Sequence, residues 1–194
     1  MPITLDLQEV KIMASSSKFK ILACDGGGIR GLITAVILER LEQKLDKPLK
    51  NYFDLFAGTS TGSIIACAIA KGIPASEIRQ FYIDKGINIF PNMNLGFWWN
   101  TLLTRIQKFD LSLPLFPMLD VFSDGSADSI DYIATQLIDG GYDRYQPLVP
   151  VNKKISTFQA DPKNLENLVA VANEFLARKD VDDQLNRLVT AISP

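Results

Sequence analysis

The sequence predicts an α/β protein built on parallel strands. Two successive stretches repeat one pattern, a short apolar run, a glycine-rich turn and then a helix. The chain of 194 residues is 47% hydrophobic and 22% charged, which is enough apolar mass for one packed core. Strand, turn and helix repeated in tandem imply neighbouring parallel strands joined by a right-handed crossover.

Residues 1–17 read as an N-terminal arm ending in Ser15-Ser16-Ser17, and 18–194 as a single domain without an internal linker. The apolar run from Phe19 to Cys24 is the first predicted strand, and it stops at Asp25-Gly26-Gly27-Gly28. Leu32, Ile33, Val36, Ile37, Leu41 and Leu45 recur at helical spacing with Glu39, Arg40 and Glu42 between them, which predicts an amphipathic helix. A second strand is expected from Tyr52 to Ala57, ending at Gly58-Thr59-Ser60-Thr61-Gly62. From Ser63 to Ala70 the chain is apolar nearly all round, which predicts a helix buried against the sheet with Cys67 as a small core residue.

Further on, a helix is expected from Ala75 to Lys85 and an irregular aromatic and proline-rich region from Phe90 to Pro117. A helix from Ala127 to Ile138 capped by Ser126 and a strand around Tyr142 to Val149 follow. Helices from Pro162 to Arg178 and from Val181 to Ile192 complete the expected elements.

Composition excludes several classes of function. A net charge of -2 and the lack of a dense Lys/Arg cluster argue against a nucleic-acid partner. Cys24 and Cys67 form no CxxC pair, so reduced thiols in a cytoplasmic protein are expected rather than disulfides or a thiolate metal site. Neither a secretory apolar segment nor a run of roughly 20 apolar residues occurs, so membrane contact is expected to be peripheral. The count of histidines is zero, which rules out a Ser-His-Asp triad and imidazole ligands for a metal.

Two motifs carry the chemistry. Gly58-Thr59-Ser60-Thr61-Gly62 matches G-x-S-x-G, a sharp strand-to-helix turn that holds a serine hydroxyl clear of the sheet. Its glycines are needed because side chains there would make strand and helix collide. Taken alone, the pentapeptide also reads as a helix N-terminus capped by Ser60 or Thr59. Gly26-Gly27-Gly28-Ile29-Arg30-Gly31 likewise lies between strand and helix, where free backbone N–H groups and the helix dipole favour an anion. Both loops then fall at the carboxyl ends of parallel strands, the usual place for α/β active sites, and the first could face an oxyanion formed at Ser60.

The competing reading is a dinucleotide site, since Gly26, Gly28 and Gly31 satisfy G-x-G-x-x-G. Against it, the second strand runs straight into Gly58-Thr59-Ser60 and has no acidic residue at its end for a ribose.

Asp25-Gly26-Gly27-Gly28-Ile29-Arg30-Gly31, followed by Phe53-Asp54-Leu55-Phe56-Ala57-Gly58-Thr59-Ser60-Thr61-Gly62, resembles the paired signature of patatin-like phospholipases. The resemblance implies a three-layer α/β/α fold with a mainly parallel central sheet. It also implies a Ser-Asp dyad with Ser60 as nucleophile, residues 26–31 as oxyanion hole, an acyl lipid as substrate, and neither metal nor cofactor. Absence of histidine is what such a dyad permits.

The family carries its aspartate in a D-G-G or D-G-A motif, and the match here is Asp139-Gly140-Gly141. The Tyr142-Asp143-Arg144-Tyr145-Gln146-Pro147 that follows resembles the part of bacterial patatins beyond their catalytic aspartate. Two accounts stay open: Asp139 is the dyad acid, or an internal segment carrying the true aspartate is absent, Asp139 is a helix-terminating turn and the chain is a shortened, silent lipid- or partner-binding relative. Asp124, before Gly125-Ser126, reads as part of a turn. Arg30 reads either as a residue that orients the loop or meets a lipid phosphate, or as a solvated charge. Asp25 is expected to accept backbone hydrogen bonds at the start of the glycine loop. Phe90-Pro91, Phe97-Trp98-Trp99 and Leu113-Pro114-Leu115-Phe116 could form an interfacial rim or pack in the core.

Overall fold

The computed structural model describes residues 18–89, 131–136, 138, 141–150, 155–157 and 159–193. Strand β1 (Ile21–Cys24) pairs in parallel with β2 (Leu55–Gly58), with Ile21 opposite Leu55 and Cys24 opposite Gly58. The Asp54 carboxylate accepts a 2.7 Å hydrogen bond from the Lys20 amide and so pins the start of both strands. A 3-10 turn (Gly28–Arg30) leads from β1 into α1 (Gly31–Gln43), and a second one (Leu49–Asn51) precedes β2. Then come α2 (Thr61–Lys71) and α3 (Ala75–Ile89), a helical stretch described over 131–136, and finally α4 (Pro162–Leu176) and α5 (Lys179–Ile192).

The core centres on α1. Leu32, Ile33, Ala35, Val36, Ile37, Leu38 and Leu41 are all buried, more than one amphipathic stripe, because α1 is packed by α2, α3 and α4 together. Ile65 and Ile69 of α2, Leu168 of α4, Leu185 of α5 and Ile29 and Leu49 of the two 3-10 turns are fully buried with it.

Helix ends have identifiable stops. At the end of α2, Gly72 takes a left-handed φ of 90°, its amide bonds Ile69 O at 2.8 Å, and the Ile73 amide bonds Ala68 O at 3.0 Å. Pro162 opens α4, where Asp161 caps by accepting the Asn164 amide at 3.1 Å. The Glu42 carboxylate takes the Ala75 amide at 2.8 Å and the Leu49 amide at 3.2 Å, joining the end of α1 to the start of α3 and to the second 3-10 turn.

Three expectations need correction. Helix α2 is not buried all round: Thr61, Gly62, Ile65, Ala66 and Ile69 face inward, whereas Ile64 and Cys67 are exposed. The strands cover only one side of it. Cys67 is therefore a surface thiol rather than a core residue. The expected strand around Tyr142 to Val149 has no regular structure over 141–150, where Pro147 and Pro150 each lack the amide donor a ladder requires. Among the described residues no helix is long and apolar enough to cross a membrane. The expected helix start at Ser126, Asp124, and the aromatic segments between Phe90 and Phe116 lie outside the described residues.

Candidate active site

The β1–β2 pair ends in two adjacent loops, and the distances between them are set by glycines. A Cβ added at Gly58 would lie 2.5 Å from the carbonyl carbon and oxygen of Gly62, and one at Gly62 would meet the carbonyls of Cys24 and Asp25. A Cβ at Gly26 would be 2.8 Å from Ser60 Cβ and 2.8 Å from Thr59 O. Both contacts are shorter than real Cβ packing tolerates, so the two loops touch only because these positions are glycine.

Ser60 sits on the turn between β2 and α2 with φ 49° and ψ -127°, and among the described residues it is the one non-glycine with positive φ. An L-residue held there costs about 1–3 kcal/mol. The helix-cap reading of this serine is not met, since its side chain makes no capping hydrogen bond. The Ser60 carbonyl accepts from Ser63 Oγ at 2.5 Å, while no hydrogen bond to Ser60 Oγ occurs among the described residues.

The glycine loop is held from two sides. The Gly26 amide donates to Thr59 Oγ1 at 3.0 Å, and the Ile29 amide donates to Thr157 O at 2.9 Å. The Arg30 amide closes on Gly27 O at 3.0 Å, and the Gly31 amide is bonded to carbonyls within the turn. Of the six residues predicted to form an oxyanion hole, four thus have engaged amides. The Gly27 and Gly28 amides, and that of Thr61 at the first position of α2, make no hydrogen bond among the described residues. Gly28 has a φ of 58° and a Cβ there would overlap Thr157 O, so both the backbone and its neighbour require glycine.

Asp25 departs from expectation. Its carboxylate is 71% exposed and pairs with Arg144 Nη2 at 3.1 Å instead of accepting backbone amides. Arg144, itself largely buried, also lies 3.8 Å from Asp131, so the stretch after Asp139-Gly140-Gly141 reaches the glycine loop. Asp139 and Gly140 lie outside the described residues. Arg30 is half-buried, with Nε buried and unbonded among the described residues, unlike a solvated surface charge.

Tyr82 of α3 supports the two helix starts from below. A Cβ at Gly31 would overlap its hydroxyl, and that hydroxyl also meets Thr61. Burial pushes the Tyr82 hydroxyl up to about 12. Burial, helped by the Asp25 charge, pushes the Cys24 thiol up to about 11, so at neutral pH it is a protonated, non-nucleophilic core group. Sequence reading missed Tyr82 and Thr157. Tyr82 is one aromatic on a helical face, and Thr157 acts through its carbonyl, which any residue type supplies.

The family model for patatin-like phospholipase matches residues 22–191, and the chain belongs to that family. Its fold class is accordingly three-layer α/β/α, with the parallel β1–β2 pair as the described part of the sheet. Among curated relatives, a cGAMP-activated phospholipase of Pseudomonas aeruginosa is 41% identical over 91 residues, 44% of this chain and 27% of its own length. Patatin-like protein 1 of Oryza sativa subsp. indica is 47% identical over 96 residues, 43% of this chain and 23% of its own. An intracellular phospholipase A2 of Caenorhabditis elegans is 42% identical over 67 residues, 34% of this chain and 6% of its own. The matched part thus spans about a quarter, or less, of these relatives. No solved structure matches significantly.

Proposed function

We propose that the chain is a lipid acyl hydrolase whose nucleophile is Ser60. The observation that carries this reading is the Ser60 backbone, strained at φ 49° and ψ -127° between β2 and α2. Strain of that size at an exposed turn is unfavourable for stability alone, and it is the conformation that presents a serine hydroxyl to substrate.

In the proposed reaction Ser60 Oγ attacks the ester carbonyl carbon while its proton passes to a carboxylate base, with Asp139 as the candidate. The negative charge on the former carbonyl oxygen is met by the unengaged amides of Gly27, Gly28 and Thr61, with Arg30 beside them. A donor of this kind lowers the barrier by about 3 kcal/mol. Collapse breaks the bond to the alcohol, which takes up the proton, and water delivered by the same base then releases the acid from acyl-Ser60. A carboxylate does this work at neutral pH only where its pKa is raised by partial desolvation.

The test is labelling by a fluorophosphonate probe together with hydrolysis of a p-nitrophenyl acyl ester. Labelling lost in both Ser60→Ala and Asp139→Asn supports the dyad, whereas loss in Ser60→Ala alone assigns the base elsewhere. A folded wild-type chain that neither labels nor hydrolyses supports a second reading, a silent lipid- or partner-binding relative. That reading draws on one observation: Asp25, the carboxylate next to the loop, is turned to Arg144 rather than to Ser60.

A further inference from the structure

We infer that Asn164, on the first turn of α4, is a positioning residue for the glycine loop, acting through the Thr157 carbonyl. Asn164 is only 4% exposed, yet its amide side chain is fully used. Oδ1 accepts from the Ser156 amide at 3.0 Å, and Nδ2 donates to Ser156 O at 3.0 Å and to Gln159 O at 2.5 Å. Its backbone amide is held by the Asp161 cap. These bonds grip the chain on both sides of Thr157, and Thr157 O is the acceptor for the Ile29 amide at 2.9 Å.

The same carbonyl packs directly against Gly28, one of the two loop residues with an unengaged amide. The loop has two anchors, the Thr59 hydroxyl on Gly26 and the Thr157 carbonyl on Ile29, and the unengaged Gly27 and Gly28 amides lie between them. Three side-chain bonds are more than an N-terminal helix turn needs, because the cap is already supplied by Asp161. A carbonyl free to drift would carry Ile29 and Gly28 with it, and a misplacement of about 1 Å at a catalytic group can cost about a hundredfold in rate. This inference rests on the acyl-hydrolase reading for its catalytic consequence, though not for the relay itself.

Two measurements on the full chain separate these points. Hydrogen exchange of the Ile29 amide reads the relay whether or not the protein is active, and the ester kinetics read its catalytic effect. Asn164→Leu removes all three side-chain bonds, while Asn164→Asp keeps the Oδ1 acceptor and loses both donors. Leu176→Ala, on the same helix in the core, serves as a control matched for loss of stability. The expected result is Ile29 exchange faster by about tenfold or more in Asn164→Leu, the scale of one lost hydrogen bond. Exchange in Asn164→Asp should be intermediate, and that in Leu176→Ala should change no more than its global stability does. In the kinetics, kcat falls by about tenfold in Asn164→Leu with KM unchanged, as for an interaction made only in the transition state. Ile29 exchange in Asn164→Leu equal to that of the Leu176→Ala control overturns the relay. Faster exchange with unchanged kcat overturns its catalytic role. A wild-type chain inactive towards the ester and the probe defeats the hydrolase reading, and the exchange comparison still decides the relay.

Discussion

Ser60 and Gly26 occupy one small volume, and each limits what the other can be. Because Ser60 holds a left-handed φ that disfavours side chains, Ser60→Gly is expected to raise stability by about 1 kcal/mol while abolishing probe labelling. Urea unfolding and labelling measured on the same preparation check this trade. The reverse change, Gly26→Ala, puts a methyl 2.8 Å from Ser60 Cβ and from the Thr59 carbonyl. It should destabilise by about 1–3 kcal/mol and remove labelling by pushing the two loops apart. Thr59→Val should be milder. The Gly26 amide that Thr59 Oγ1 accepts is solvent-exposed, so water replaces the lost partner, and the cost in stability should stay within about 1 kcal/mol. Labelling should slow because the loop loses its anchor nearest the serine, and Thr59→Ser should recover the rate.

Elements in this protein are tied at their ends as much as along their faces. The Glu42 carboxylate holds two amides from separate elements, so Glu42→Ala should cost about 1–3 kcal/mol, more than loss of an exposed helical glutamate would. Thermal unfolding of Glu42→Ala against the exposed Glu77→Ala checks this. Helix α2 shows how periodicity misleads when a helix is apolar all round. Its composition predicts burial on every side, but a helix packed on a sheet has an inner face and an outer face. Only neighbours decide how much of the outer face is covered. Cys67 reports on that face directly: iodoacetamide should modify Cys67 in the native protein and reach Cys24 only after unfolding.

At the scale of the whole molecule, burial keeps several proton-donating groups among the described residues protonated further into the alkaline range. Cys24 is raised from 9.0 to about 11 and Tyr82 from 10.0 to about 12, both chiefly by burial, and burial raises Tyr145 as well. A raised folded-state pKa means that folding favours the protonated form. Its contribution is complete below the unfolded value and is lost as pH climbs through the folded one. The urea midpoint should therefore hold steady up to about pH 9 and fall between about pH 9 and 12. Cys24→Ala and Tyr82→Phe should each flatten that fall, since neither replacement has a proton to lose. An equally steep fall in the double variant would show that other groups govern alkaline unfolding.

Some of this was legible in residues and some was not, and the division has a physical cause. The two glycine-rich turns, the helices that follow them and the candidate serine could be read because they depend on local rules. Those rules are apolar period, glycine where a side chain cannot fit, and a serine fixed in the turn by its two flanking glycines. Other features depend on what the folded chain brings together across long separations. Thr157 meets Ile29, Arg144 meets Asp25 and Tyr82 meets Gly31, and the Ser156–Gln159 stretch that Asn164 grips lies far in sequence from the glycine loop it touches. Asp25 illustrates the point, since a carboxylate beside open amides reads as their acceptor until a cation from a distant segment competes for it. Local sterics and periodicity thus determined the class of fold and the site of the serine. Only tertiary packing decided which loop amides have an acceptor among the described residues, because that depends on groups supplied from elsewhere in the chain.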